Sequence, residues 1–312
     1  MSEDSVQPQK TIAKPVSYTG VGLHTGHRVT VKFRPAAPGS GIRFRRVDLP
    51  GKPEVKADVP RVSCTRRGTT IRDVKVSVHT VEHVLAALAG LGLDNMIIEI
   101  DDSEPPAGDG SSLPFVQRLT RAGIRAQSEP REFLEIGKPI WFSKDDVHLV
   151  ALPADEFSIS CTIDYNHPFL KAQFASFVIN VDTFADEIAP ARTFGFFNEV
   201  DRLRREGLIR GGSLANALVI GPDGILNEGL RFDNEFVRHK ILDLIGDLSL
   251  LARPIKAHII AIKSGHASNI ELARKLRYNA ECGRQSPEAN LAIGGRRASP
   301  KAGMQNTEVK ER

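Results

Sequence analysis

A chain of 312 residues with 41% hydrophobic and 26% charged residues can bury a sizeable core, and its length predicts two domains of ordinary size. A formal net charge of +4 and an aromatic content of 6% supply neither the basic field nor the stacking platforms of a nucleic-acid binder, so no nucleic-acid partner is expected. Cys64, Cys161 and Cys282 are widely spaced and form no CxxC pair, which argues against a disulfide framework or a cysteine-rich zinc site and fits a reducing compartment.

The polar opening MSEDSVQPQK lacks the apolar core of a signal peptide, and no apolar run reaches membrane-spanning length. A soluble, cytoplasmic protein without a transmembrane segment is expected. Strands are predicted at 12–16, 29–33 and 42–47, separated by glycine-rich turns such as TGVGLHTG. A helix follows at 80–89, where Val81, Val84, Leu85 and Leu88 fall at i, i+3, i+4 and i+7, Thr80 or Ser77 serves as N-cap, and Gly90 ends the turn. A strand at 96–100, the loop DDSEPPAGDGSS and a helix at 114–122 complete the first half, and RAQSEPRE at 125–132 reads as a linker. The second half restarts with strands at 133–136, 147–152 and 157–163, then helices at 198–206 and 234–252, a strand at 257–262 and a helix at 270–278.

Several strands before each helix predict α+β layers rather than a doubly wound parallel sheet. The two halves repeat this order without sequence identity, so an internal repeat is only suggested. The expected domains are 1–128 and 129–280, followed by a tail, 281–312, rich in Gly, Ser, Pro, Arg and Lys and expected to be disordered.

Three stretches could carry chemistry. In HKILDLIGD, His239, Asp243 and Asp247 form one polar stripe of an ideal helix, while Val237, Ile241, Leu244, Leu248 and Leu251 gather opposite, and Gly246 leaves room beside the stripe. An imidazole and a carboxylate one turn apart make half of a zinc site, although an ordinary exposed His–Asp pair has the same spacing. In HTVEHVLAALAG, Glu82 and His83 open a helix as a base and a ligand would in a zinc hydrolase, or as an N-terminal Glu favoured by the helix dipole beside a surface His. HTVEH also matches H-x-x-E-H, which would make His79 and His83 the ligands of a zinc protease. In SGHASN, His266 sits in a glycine-flanked loop ahead of a helix, where it could act as a general acid or be inert. Cys64 could touch a metal, but a buried structural thiol is the simpler expectation.

Taken together, TGVGLHTG, TVEHVLAALAGLGLDN, EPPAGDGSS, ARTFGF, IRGGSLANALV, LRFDNEFVRHKILDLIGDLSLL and SGHASN resemble, in order, the UDP-3-O-acyl-N-acetylglucosamine deacetylase family, the zinc amidases of lipid A biosynthesis in Gram-negative bacteria. The resemblance covers about residues 10–280. It implies two layered α+β domains, each with an inserted subdomain and the active site in the cleft between them. One catalytic Zn2+ per chain would be held by His83, His239 and Asp243, with a fourth position open for water, and His79 would not be a ligand. Glu82 would be the general base and His266 the general acid, charged and oriented by Asp247. The Thr193 hydroxyl would stabilise the oxyanion, and Lys240 and Phe194 would meet the substrate.

The implied substrate is a UDP-linked, acylated N-acetylglucosamine, whose acyl chain would lie in a groove within 190–225. Ile209, Leu214 and Ala217 are candidate lining residues. The resemblance leans toward a monomer and offers no counterpart for the tail. Besides a protease, a non-catalytic carbohydrate- or lipid-binding protein is a competing class, but it would have no need of Glu82, His266 and all three ligands together.

Overall fold

The computed structural model describes residues 7–285. Two sheets of the same order and sense carry the architecture. The first runs Val16–Val21, Arg28–Pro35, Met96–Ile100, Ile42–Arg46 and Glu54–Lys56, with its third and fourth members parallel and the other neighbours antiparallel. The second runs Ile140–Lys144, Val147–Pro153, Ile255–Ile262, Phe157–Ile163 and Gln173–Val178, and again only the third and fourth of these five are mutually parallel. A short strand, Leu134–Glu135, joins it at Ile255. The repeat suggested by element order is therefore visible in the pairing, and the α+β expectation holds.

Among the described residues, six helices accompany the sheets: α1 (Glu82–Gly90), α2 (Leu113–Ala122), the short turn α3 (Val181–Thr183), α4 (Val200–Arg205), α5 (Glu235–Ser249) and α6 (His266–Gln285). α1 and α5 pack on each other, α5 lies on Phe157–Ile163 and Gln173–Val178, α6 on Ile140–Lys144 and Val147–Pro153, and α2 on Val16–Val21. The apolar stripes predicted for α1 and α5 are buried. So are the stripes opposite them: Ala86 and Ala87 on α1 and His239, Asp243 and Asp247 on α5. A helix buried on all sides belongs in a core, and polar groups at such depth require partners.

Glycine permits the helix crossing at one decisive place. A Cβ on Gly246 would lie 2.2 Å from the backbone oxygen of Glu82, so only a residue without one lets α5 approach the start of α1. Gly246→Ala should therefore lower stability by about 1–3 kcal/mol through overpacking. A denaturant titration with an unchanged midpoint would contradict this account of the crossing.

Several boundaries differ from expectation. The strand predicted at 12–16 is a break between Pro8–Ile12 and Val16–Val21, because Pro15 removes a donor and restrains Lys14. The predicted linker is largely a strand, Ile124–Pro130, paired antiparallel with Pro8–Ile12, and the boundary placed after residue 128 falls inside it. Its mostly exposed residues leave no alternating pattern to read. α1 begins at Glu82 with Val81 as N-cap, and the Thr80 hydroxyl donates to Glu104 instead of capping the helix. α6 begins at His266, so this residue opens the helix rather than preceding it, and the helix runs to Gln285. Of the tail expected to be disordered, 286–312 lies outside the described residues. Among the described residues no helix is long and apolar enough to cross a membrane.

Candidate active site

α5 supplies two donors and α1 a third. Asp243 Oδ1 lies 3.4 Å from His239 Nε2 and 3.6 Å from His83 Nε2. The two imidazoles meet edge to face with ring centroids 5.0 Å apart. All three donor atoms fall within 4.8 Å of one another, and this is the one His/Cys/Asp/Glu group among the described residues able to hold a metal ion. Donors at about 2.0–2.1 Å from a tetrahedral ion stand about 3.4 Å apart, so the cluster has the reach and the donor chemistry that zinc takes.

The surroundings tune each donor. His239 Nδ1 lies 3.0 Å from the Ala191 carbonyl, to which its N–H donates, leaving Nε2 with its lone pair turned toward the cluster. Burial lowers the pKa of His239 to about 4 against the pull of Asp243, so the ring is neutral, as a ligand must be. For Asp243, burial works against the charged form, but Lys240, His239 and His266 hold its carboxyl well below the ordinary range. The Lys240 ammonium donates to Asp243 Oδ2 at 2.7 Å. Burial disfavours that ammonium too, yet Asp243 and Tyr165 raise its pKa above the ordinary lysine value.

A second constellation faces the donors. Glu82 is 2% exposed and its Oε2 accepts the Thr69 backbone N–H at 2.9 Å. His266 directs Nε2 toward Glu82 Oε1 at 3.9 Å and Asp243 Oδ2 at 4.0 Å, while its Nδ1 donates to Asp247 Oδ2 at 2.9 Å. Asp247 is fully buried and accepts two more donors, the Thr69 hydroxyl at 2.5 Å on Oδ1 and the Asn269 amide at 2.9 Å on Oδ2. Burial opposes a charged His266, but Asp247, Asp243 and Glu82 push its pKa up to about 9. Burial raises Glu82 above the ordinary carboxylate range, with His266 and His83 pulling the other way. A carboxyl and an imidazole with displaced pKa values, set on the same small space, have the chemistry an acid–base pair needs.

Thr193 reaches the His83 side of the cluster from the second half of the chain. Its N–H donates to the Gly110 carbonyl at 2.7 Å, its carbonyl accepts the Leu218 N–H at 2.8 Å, and with His83 and Gly110 it lines a narrow cavity. The segment is anchored one residue earlier, where Arg192 pairs with the fully buried Glu235 through Nε at 2.7 Å and Nη2 at 2.9 Å. Phe194 stacks edge-on with Phe236 at 5.1 Å and Tyr165 at 5.8 Å, and its ring is 6.3 Å from that of His239.

The remaining candidates scatter. Ile209 is half-buried with φ of 49°, Leu214 is 53% exposed, and Ala217 leads into the short strand Leu218–Ile220. None of the three takes part in the contacts at the cluster. His79 turns away, with Nδ1 3.0 Å from the Thr70 hydroxyl, and it precedes α1, so H-x-x-E-H does not share one helix here. Cys64 is exposed rather than buried, outside the cluster, with Sγ accepting the Arg66 N–H at 3.4 Å. His24 proves to be a clamp: one ring nitrogen lies 3.1 Å from the Arg67 carbonyl, and the other accepts the Ile209 N–H at 3.3 Å. Thr69 lies in none of the quoted segments, and although Asn269, Arg192 and Glu235 fall within SGHASN, ARTFGF and LRFDNEFVRHKILDLIGDLSLL, only their long-range contacts reveal what they hold.

The model of the family described as UDP-3-O-acyl N-acetylglycosamine deacetylase matches residues 9–278. A UDP-3-O-acyl-N-acetylglucosamine deacetylase of Myxococcus xanthus is 47% identical over 275 residues, covering 88% of each chain. Proteins of the same name from Citrifermentans bemidjiense and Chlamydia felis are 43% and 46% identical, over 88% and 86% of this chain and 90% and 96% of their own.

Proposed function

The chain belongs to the UDP-3-O-acyl N-acetylglycosamine deacetylase family, and from that premise we propose that it hydrolyses the N-acetyl group of UDP-3-O-(hydroxyacyl)-N-acetylglucosamine, releasing acetate and the free amine, with one Zn2+ per chain. The observation that carries this reading is the buried His83–His239–Asp243 cluster with Glu82 and His266 facing it. Zn2+ held by the three residues would supply a Lewis acid for the amide carbonyl and activate a water molecule.

The chain's own groups do the rest. Glu82 takes a proton as water adds to the acetamide carbon, and the Thr69 N–H keeps its other oxygen in place. The Thr193 hydroxyl stabilises the oxygen that gains charge. As the C–N bond breaks, the charged His266 donates its Nε2 proton to the departing sugar amine, while Asp247 holds Nδ1 and balances the imidazolium. Lys240 keeps Asp243 ionised and meets the substrate's polar groups, and Phe194 packs beside it. Ile209, Leu214 and Ala217 would line the path of the acyl chain. Two α+β domains meet at the site on this reading, with the division after the strand Ile124–Pro130. The setting it implies is a monomeric cytoplasmic enzyme early in lipid A biosynthesis.

Incubating metal-loaded protein with UDP-3-O-(3-hydroxyacyl)-N-acetylglucosamine should release acetate and free amine in equal amounts. Absence of both across several acyl lengths would defeat the assignment.

A further inference from the structure

Resting on the roles just proposed for Glu82, Asp247 and His266, we infer that Thr69 is a positioning residue that holds the base and the acid's carboxylate in register. Thr69 is fully buried and lies between the two halves of the acid–base pair. Its N–H donates to Glu82 Oε2 at 2.9 Å, its hydroxyl donates to Asp247 Oδ1 at 2.5 Å, and its carbonyl accepts the Val81 N–H at 3.1 Å, just ahead of α1. One residue thus uses every polar group it has to join α1, which carries the base, to α5, which carries Asp247.

The direction of the hydroxyl bond is fixed, because an ionised carboxylate only accepts. Asp247 then receives three donors, Thr69 on Oδ1 and His266 and Asn269 on Oδ2, which set the plane of its carboxylate and through it the tilt of the His266 ring. Without the hydroxyl, Oδ1 is a buried acceptor with no remaining partner in this network, and the carboxylate is held through Oδ2 alone. The backbone bond to Glu82 stays, so the base keeps its place. Gly68 supports the arrangement: a Cβ there would stand 3.0 Å from Glu82 Oε1, at a φ of 156°.

The test compares Thr69→Val, which keeps the shape and loses the hydroxyl, with Thr69→Ser, which keeps the hydroxyl. Thr69→Val should lower kcat about 10- to 100-fold with KM and metal content unchanged, the loss expected for one hydrogen bond to a charged group. Thr69→Ser should stay within about threefold of the parent on the same scale. In an Asp247→Ala background the valine change should cost nothing further, because the carboxylate it acts through is gone. Should the valine variant not fold, Thr69→Ala makes the same comparison. Equal losses for valine and serine, a loss in KM instead of kcat, or a full additional loss on top of Asp247→Ala would each overturn the inference.

A second readout does not depend on turnover. The downfield Nδ1–H proton resonance of His266, assigned by its disappearance in His266→Gln, should shift or broaden in Thr69→Val and persist in Thr69→Ser. If the parent released no acetate while this resonance responded as described, the functional reading would fall and the positioning role of Thr69 would stand. An unmoved resonance in Thr69→Val counts against that role.

Discussion

Asp243→Ala should leave the protein unable to retain one equivalent of zinc and should lower kcat/KM by about 1,000-fold or more. Asp243 is the donor common to both short separations in the cluster, 3.4 Å to His239 and 3.6 Å to His83, so its loss removes the centre of the arrangement. It also strands the buried Lys240 ammonium, which donates to Asp243 Oδ2. Breaking a buried pair on one side costs about 3–5 kcal/mol, so thermal melts must accompany the assay. Asp243→Asn keeps the volume and an acceptor for Lys240 and separates metal loss from unfolding. His79→Ala provides the contrast. Because His79 bonds to Thr70 and stands outside the cluster, this variant should keep its full metal content. Metal loss in His79→Ala with retention in Asp243→Asn would restore the H-x-x-E-H reading.

Glu82→Gln should retain the metal and lose kcat by about 100- to 10,000-fold, the range of general base catalysis. The amide can still accept the Thr69 N–H that now meets Oε2, so the fold has little reason to change. The pH profile gives the second half of the test. As the proposed base Glu82 would have to be deprotonated, and burial raises its pKa, so activity should fall as pH drops through that raised value. As the proposed acid His266 would have to be protonated, and activity should fall as pH rises through a value pushed up to about 9 by Asp247, Asp243 and Glu82. A dication at the cluster favours the deprotonated form of both groups and moves both limbs to lower pH. Glu82→Gln should erase the acidic limb and keep the basic one, and His266→Gln should do the reverse. An acidic limb that survived in Glu82→Gln would belong to another group and would remove Glu82 from the role of base.

Much of this site was legible in the sequence because its signals are local. His239, Asp243 and Asp247 share a helical stripe, and Glu82 and His83 open an apolar helix, patterns that spacing alone exposes. What spacing could not say is that the stripe is buried. The strip of α5 that could have been a solvated face instead meets α1 across Gly246, where an added Cβ would stand only 2.2 Å from the Glu82 carbonyl oxygen. The resemblance to a known family, more than periodicity, separated His83 from His79 as the expected ligand.

The rest was hidden for identifiable reasons. The strand Ile124–Pro130 read as a linker because its exposed residues do not alternate, and its partner Pro8–Ile12 is far away in the chain. The start of α6 was placed too late because HASN has none of the apolar spacing used to find helices, yet Asn269 is fully buried on Asp247. Thr69 left no local mark at all, since its hydroxyl bond spans 178 positions. Groups that position a site from the opposite half of a chain are invisible to any argument from spacing, and only packing discloses them.

The most direct measurement of the central claim follows one sample through metal removal and return. Purified protein is stripped with a chelator, its zinc content is measured, and acetate release from UDP-3-O-(3-hydroxyacyl)-N-acetylglucosamine is followed as zinc is added back. The account predicts no turnover in the stripped protein and recovery that saturates at one zinc per chain, lost in Asp243→Asn. Turnover that persists without metal, or that never appears with one zinc bound, would contradict it.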